Sequence, residues 1–183
     1  MRIIRFTKGA YLKLRFLLDH FNKEVGFYGL VRKEEESKIT KRGLINYQVY
    51  IIYDLRIYPQ TVTGATVKTD ELDLYHWYSH LSDEEFEAKR MQAHSHVYMS
   101  TEPSFTDLEN NKQILKDIDK NSFFIFFIFN KRMEYSVRLY EKGKRVKAKV
   151  EFPKEKFFNE LDNVKEDRLP TISFMGGENY ELI

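Results

Sequence analysis

Met91-Gln92-Ala93-His94-Ser95-His96-Val97-Tyr98-Met99-Ser100-Thr101-Glu102-Pro103-Ser104-Phe105-Thr106-Asp107 is the stretch on which the fold turns. Its first part, Met91 to Val97, reads as a strand. Pro103-Ser104 opens a turn into a helix from about Phe105 to Ile118, with Leu108, Asn111, Leu115 and Ile118 on one face. In a strand, residues i and i+2 share a face, so His94 and His96 project together while Ser95 points away. Ser104-x-x-Asp107 has the spacing of a capping box, in which a serine oxygen accepts from a first-turn amide and the acid answers it. Two imidazoles and a carboxylate at short range suit a divalent metal, zinc first of all. A helix N-terminus beside such a site adds partial positive charge.

Downstream, Phe123 to Phe129 is a continuous apolar run and reads as a central strand covered on both faces. Tyr135, Val137 and Leu139 alternate with polar neighbours. Glu141-Lys142-Gly143-Lys144 is a turn, and Val146, Ala148 and Val150 make the return strand. Upstream, a short strand is expected at Ile3 to Phe6. A helix follows, with Leu14, Leu17, Leu18 and Phe21 on one face, ending near Asn22. Val25 to Val31 reads as a buried strand and Arg32 to Lys41 as an exposed turn or loop. Tyr47, Val49, Ile51 and Tyr53 form a strand paired with the previous one. Tyr58 to Thr69 reads as irregular or short strand, Asp70 to Leu81 as a helix, and Asp83 to Arg90 is charged. Residues 60–90 have the character of an insertion. The order β-α-β-β-(insert)-β-α-β-β-β describes a mixed sheet packed by helices, an α/β or α+β domain.

The chain's 183 residues fit one domain with a sizeable core. Its formal charge of +2 gives no electrostatic case for nucleic acid or an anionic membrane as main partner. The absence of cysteine excludes disulfides, thiolate zinc sites and cysteine nucleophiles, so a metal must be held by His, Asp or Glu. The N-terminal apolar stretch is broken by Lys8, Lys13, Arg15 and Asp19 and does not read as a signal peptide. The seven-residue apolar run at 123–129 is too short to span a bilayer as a helix. The expectation is a soluble, cytoplasmic protein.

Several His-x-His metal folds fail on what is missing. A cupin-like site built on His94, His96 and Glu102 needs a later histidine, and none follows His96. A metallo-β-lactamase-like site needs an Asp where Tyr98 stands. An amidohydrolase barrel needs about 250 residues. A two-His-one-carboxylate iron oxygenase stays open on ligands alone.

His-x-His, seven intervening residues, then Ser-x-x-Asp resembles the signature of the JAMM (MPN-plus) metalloproteases. That family also carries an upstream Glu in a Glu-x-x-Gly-like stretch after its first helix. Here Glu24-Val25-Gly26-Phe27-Tyr28-Gly29-Leu30 lies where the first helix gives way to a strand. The resemblance covers about residues 1–140. The chain departs from the family at Val97, commonly Pro, and at Met91-Gln92-Ala93, often Gly-Trp-Tyr-like. Glu24 and His94 are also further apart than in compact members. It looks most like the divergent bacterial and phage branch.

The resemblance implies an MPN, cytidine-deaminase-like architecture over residues 1–152, with 153–183 as a C-terminal extension. It implies one Zn²⁺ per chain on His94, His96 and Asp107, with the fourth position open. Glu24 is then the general base and acid, and Ser104 an oxyanion donor. The implied activity is hydrolysis of a peptide or isopeptide bond, after a ubiquitin-like C-terminal tail in the enzymes it resembles. The alternative is a non-catalytic MPN-type scaffold. Such members typically lose ligands, whereas this chain keeps every one.

His20 is expected on the exposed face of the first helix. His76 and His80, with Tyr75, Trp77 and Tyr78, are expected to form an aromatic patch facing solvent, substrate or a second copy of the chain. Lys142, Lys144, Arg145, Lys147 and Lys149 read as a solvated face.

Overall fold

The computed structural model describes residues 1–41, 43–62 and 67–154. From residue 155 onward the expected C-terminal extension lies outside the described residues. Elements run in the order β1 (Arg2–Phe6), α1 (Lys8–His20), β2 (Gly26–Thr40), β3 (Gly43–Ile57), β4 (Thr61–Val62), β5 (Val67–Lys68), α2 (Glu71–Ser79), α3 (Asp83–Ala88), β6 (Lys89–Ser95), α4 (Phe105–Asp117), β7 (Phe123–Phe129), β8 (Tyr135–Glu141), β9 (Lys144–Val146) and β10 (Lys149–Glu151). Eight strands make one mixed sheet in the order β10-β1-β3-β2-β6-β7-β8-β9. The expected α/β class and element order are therefore seen.

α1 starts because Thr7 caps it, accepting from Ala10 N at 3.2 Å. Its buried residues, Ala10, Tyr11, Leu14, Leu17 and Leu18, lie on one stripe. They pack on Ile4, Phe6, Tyr50, Ile52, Phe127 and Phe129 from the sheet. Each large apolar side chain fully buried there contributes about 1.5–3 kcal/mol before conformational entropy is subtracted. β7 is buried along almost its whole length, as a strand with neighbours on both sides and cover on both faces should be.

Two expectations need correction. Arg32 to Lys41 is not a loop: β2 runs on to Thr40 and pairs with β3 through to Thr40↔Gly43. β2 leaves β6 after Leu30 and is largely exposed from Arg32 on, and beyond Glu35 the ribbon outruns the pairing of β3 with β1, so polar residues fill a regular strand. The return strand is also broken in two. β9 pairs with β8, whereas β10 pairs in parallel with β1 at the opposite edge. Only residues 147 and 148 separate β9 from β10, so the sheet must curl until its edges approach. Phe152 seals that approach, stacking on Phe6 at 5.2 Å and meeting Tyr135 edge-on at 5.5 Å. Glu141 of β8 likewise meets Arg2, Lys33 and Tyr50 from β1, β2 and β3.

The 60–90 region docks on β2 through aromatic rings. Trp77 stacks on Tyr28 at 5.7 Å, and Tyr78 Oη donates to Tyr28 Oη at 3.0 Å. Lys89 Nζ lies 3.7 Å from the Tyr78 ring centre and 4.7 Å from that of Tyr28. Arg56 reaches across to Glu85 at 2.7 Å. Among the described residues, no helix is long and apolar enough to cross a membrane.

Candidate metal centre

The centre forms where β6 ends. Met91, Ala93 and Ser95 face the α1 side and are buried, so the alternation sends Gln92 and His94 to the other face. Ser95 is not idle. Its Oγ accepts from Val25 N at 3.0 Å, and its own N–H donates to Val25 O at 3.0 Å. This clamp holds Glu24, 7% exposed, within electrostatic reach of His96 and Asp107. The next residue, Gly26, is opposite His94 in the β2–β6 register. The Gln60 amide bonds both backbone groups of Gly26, accepting from its N–H and donating to its C=O, each at 2.7 Å. The Tyr58 ring fills the place of a side chain there, since a Cβ on Gly26 would lie 2.0 Å from Tyr58 Oη.

The loop from His96 to Ser104 is laced to β7 and β8. His96 N donates to Phe129 O at 2.7 Å, and Ser136 Oγ donates to Thr101 O at 2.6 Å. Asn130, fully buried, donates to Met99 O at 3.2 Å and to Glu134 Oε2 at 2.6 Å. Val97 takes a positive φ of 47°, a costly conformation for a β-branched residue. Lys131 N, bonded to Val97 O at 2.7 Å, helps hold it there.

His96 Nδ1 is 2.5 Å from Ser100 O. A carbonyl only accepts, so Nδ1 carries the hydrogen and Nε2 is left with its lone pair. That Nε2 lies 2.9 Å from His94 Nε2. Asp107 Oδ1 is 3.4 Å from His94 Nε2, and Asp107 Oδ2 is 3.9 Å from His96 Nε2. The three side chains present ligand atoms within 4.8 Å of one another, and among the described residues this is the only such trio. A tetrahedral zinc with bonds of about 2.0–2.1 Å separates its ligand atoms by about 3.3 Å, so the residues fit that ion.

Ser104 is the N-cap of α4. Its N–H and Oγ–H both donate to Asp107 Oδ2 at 2.7 Å, and its Oγ accepts from Asp107 N at 3.2 Å. The expected capping box is present, and it leaves Asp107 Oδ1 facing His94. Burial pushes the His94 imidazolium down to about 4, with the Asp107 charge opposing and the His96 charge adding. His94 is therefore neutral at pH 7, the form that ligates. Burial raises the Glu24 carboxyl, while His96 pulls it down and Asp107 pushes it up.

His94, His96, Asp107 and Ser104 are thus brought into direct contact, and Glu24 is placed beside them. Residue types and spacing point to the first four. The supporting residues Ser95, Gln60, Ser100 and Asn130 carry no sequence signal of their own. His20 is exposed and stacks on Phe16 at 3.9 Å. His80 Nδ1 lies 2.7 Å from the His76 carbonyl oxygen. Trp77 and Tyr78 turn inward, and Tyr75 and Leu72 stay exposed. Compared with protein-family models and with curated proteins, the sequence matches none.

Proposed function

We propose that the chain is a zinc-dependent metallopeptidase of the JAMM type, on an MPN-type architecture, that hydrolyses a peptide or isopeptide bond. The observation that carries this reading is the trio His94, His96 and Asp107 at metal spacing, with buried Glu24 beside it and Ser104 bonded to one ligand. Zinc bound there supplies Lewis acidity toward the scissile carbonyl and makes water acidic near neutral pH.

The chain's own groups do the rest. The Ser100 carbonyl keeps His96 Nε2 free to ligate, and burial keeps His94 unprotonated. Glu24 Oε takes the proton of the attacking water and returns it to the leaving amine. Its raised proton affinity brings acid and base forms closer in energy at neutral pH. The Ser104 hydroxyl hydrogen turns from Asp107 Oδ2 to the oxyanion of the tetrahedral intermediate. The polypeptide substrate is held at the rim, where Tyr98, Met99 and Phe105 are exposed beside the site.

The test is metal content together with hydrolysis. Wild type purified with zinc should hold about one ion per chain, and the H94A/H96A double variant none. Glu24→Gln should keep the ion and lose roughly 10²–10⁴-fold in turnover on a panel of ubiquitin-like fusions and cell-wall peptides. Absence of bound metal in wild type, or full activity in Glu24→Gln, sinks the reading. A bound ion with no cleavage of any substrate favours the scaffold.

A further inference from the structure

A polar crevice runs on from the metal trio between α4 and the outer face of β6, β7 and β8. It is small, about 20 Å³, and opens to solvent. His94 and Asp107 belong to its lining, and Gln92, Asn111, Arg138 and Phe126 are among the other residues that line it. The register explains the grouping. Gln92 pairs with Phe126 and Phe126 with Arg138, so Gln92 and Arg138 stand on one row with the aromatic ring between them.

Arg138 differs from the other half-buried bases. Arg2, Arg5, Lys13, Arg56 and Arg90 each meet a carboxylate. Lys89 lies on aromatic rings, and Lys131 meets Asn22 Oδ1 at 2.7 Å. Among the described residues, Arg138 has no such partner. No Arg138 nitrogen is both buried and unpartnered, so its free N–H donors face open space, and the residue lines the crevice. Gln92 and Asn111 also make no side-chain hydrogen bond with another described residue. Among the described residues no buried polar side-chain atom lacks a partner, so these amides reach open space, and both residues line the crevice.

We infer that this crevice is a carboxylate subsite, in which the Arg138 fork takes the two oxygens and the Gln92 and Asn111 amides donate from the sides. One cation balances one negative charge, and a planar carboxylate matches the guanidinium fork. A phosphate dianion would leave excess negative charge next to Asp107. The placement beside the scissile bond rests on the peptidase reading, which then selects substrates bearing a carboxylate close to that bond. The carboxylate itself comes either from a free C-terminus or from an acidic side chain.

Nuclear magnetic resonance on the full chain tests this with and without zinc. The probes are N-acetylglycine for a free α-carboxylate, N-acetylglutamate α-amide for a side-chain carboxylate, and N-acetylglutamine amide as the neutral control. The Arg138 Nε–H signal and the Gln92 and Asn111 amide signals should shift saturably with at least one carboxylate, not with the control. Whichever carboxylate binds identifies the source. Arg138→Gln should weaken that binding at least tenfold while its backbone spectrum stays folded. No saturable shift, equal shifts with the neutral amide, or unchanged affinity in Arg138→Gln overturns the subsite. If the carboxylate shifts persist in a chain that holds no zinc and cleaves nothing, the subsite stands and the peptidase reading falls.

Discussion

At the residue scale, the centre depends on a strand sending neighbouring side chains opposite ways. His94 turns to the α4 face while Ser95, one residue on, turns to the core and clamps Val25. Glu24 occupies the least comfortable position. Burial raises its carboxyl above the ordinary 4.5, so the folded state favours the neutral acid. Its stabilising contribution is complete below the unfolded value and is lost as pH rises through the folded one. Metal-free Glu24→Gln should therefore melt at a higher temperature than metal-free wild type at pH 7.5, with the gap closing toward pH 4. Thermal melts across that range check it, and equal melting temperatures at pH 7.5 contradict it. Glu24 was legible only through the family resemblance, because an acid near a helix end has nothing local to mark it.

At the element scale, α4 and the loop before it carry the ligands. Ser104 has a capping role and a proposed catalytic one, and substitution separates them. Ser104→Ala should cost about 1 kcal/mol of stability, whereas Ser104→Gly should cost only a few tenths because glycine is a tolerated cap. Both remove the hydroxyl, so both should lose hydrolysis alike. Urea unfolding beside turnover decides, and activity retained in Ser104→Gly limits the serine to capping. Val97 marks where the loop departs from the family pattern. Proline holds φ near −65°, so it cannot take the 47° seen here. Val97→Gly should stabilise the chain by about 1 kcal/mol and Val97→Pro should destabilise it, both read from urea midpoints. The capping box was legible because its atoms are three residues apart. The extension of β2 over residues 32–40 was not, because a segment exposed along most of its length has no apolar alternation to read.

At the scale of the whole molecule, closure of the sheet joins elements that are distant in sequence. Glu141 holds β8 to β1, β2 and β3 through Arg2, Lys33 and Tyr50. Glu141→Gln should cost about 2 kcal/mol, because the amide loses the charge and sets an NH₂ donor against the Arg2 or Lys33 donors in place of an acceptor oxygen. Burial raises the Glu141 carboxyl, but bonds from Tyr50, Lys33 and Arg2 lower it further, and Glu36, Glu85 and Glu151 also sit below 4.5. Carboxyls of this kind stabilise the fold above the unfolded value, and that stability is lost as pH falls through their folded values. Stability should therefore drop steeply below about pH 4.5, and Glu141→Gln should flatten part of that fall. Denaturant midpoints from pH 7 to 3 measure both.

The sequence by itself determined the order of elements, the faces of α1 and β7, the trio His94, His96 and Asp107, and the cap at Ser104. All of these follow from periodicity or from spacings within about a dozen residues, where backbone geometry dictates which side chains meet. Only the tertiary structure decided the split of β9 from β10, the Ser95 and Gln60 clamps behind Glu24, and the place of Arg138 beside the site with no acidic partner among the described residues. Ser95 meets Val25 across 70 positions and Gln60 meets Gly26 across 34. No local pattern encodes such partners, since they meet only once the sheet has curled and buried its core.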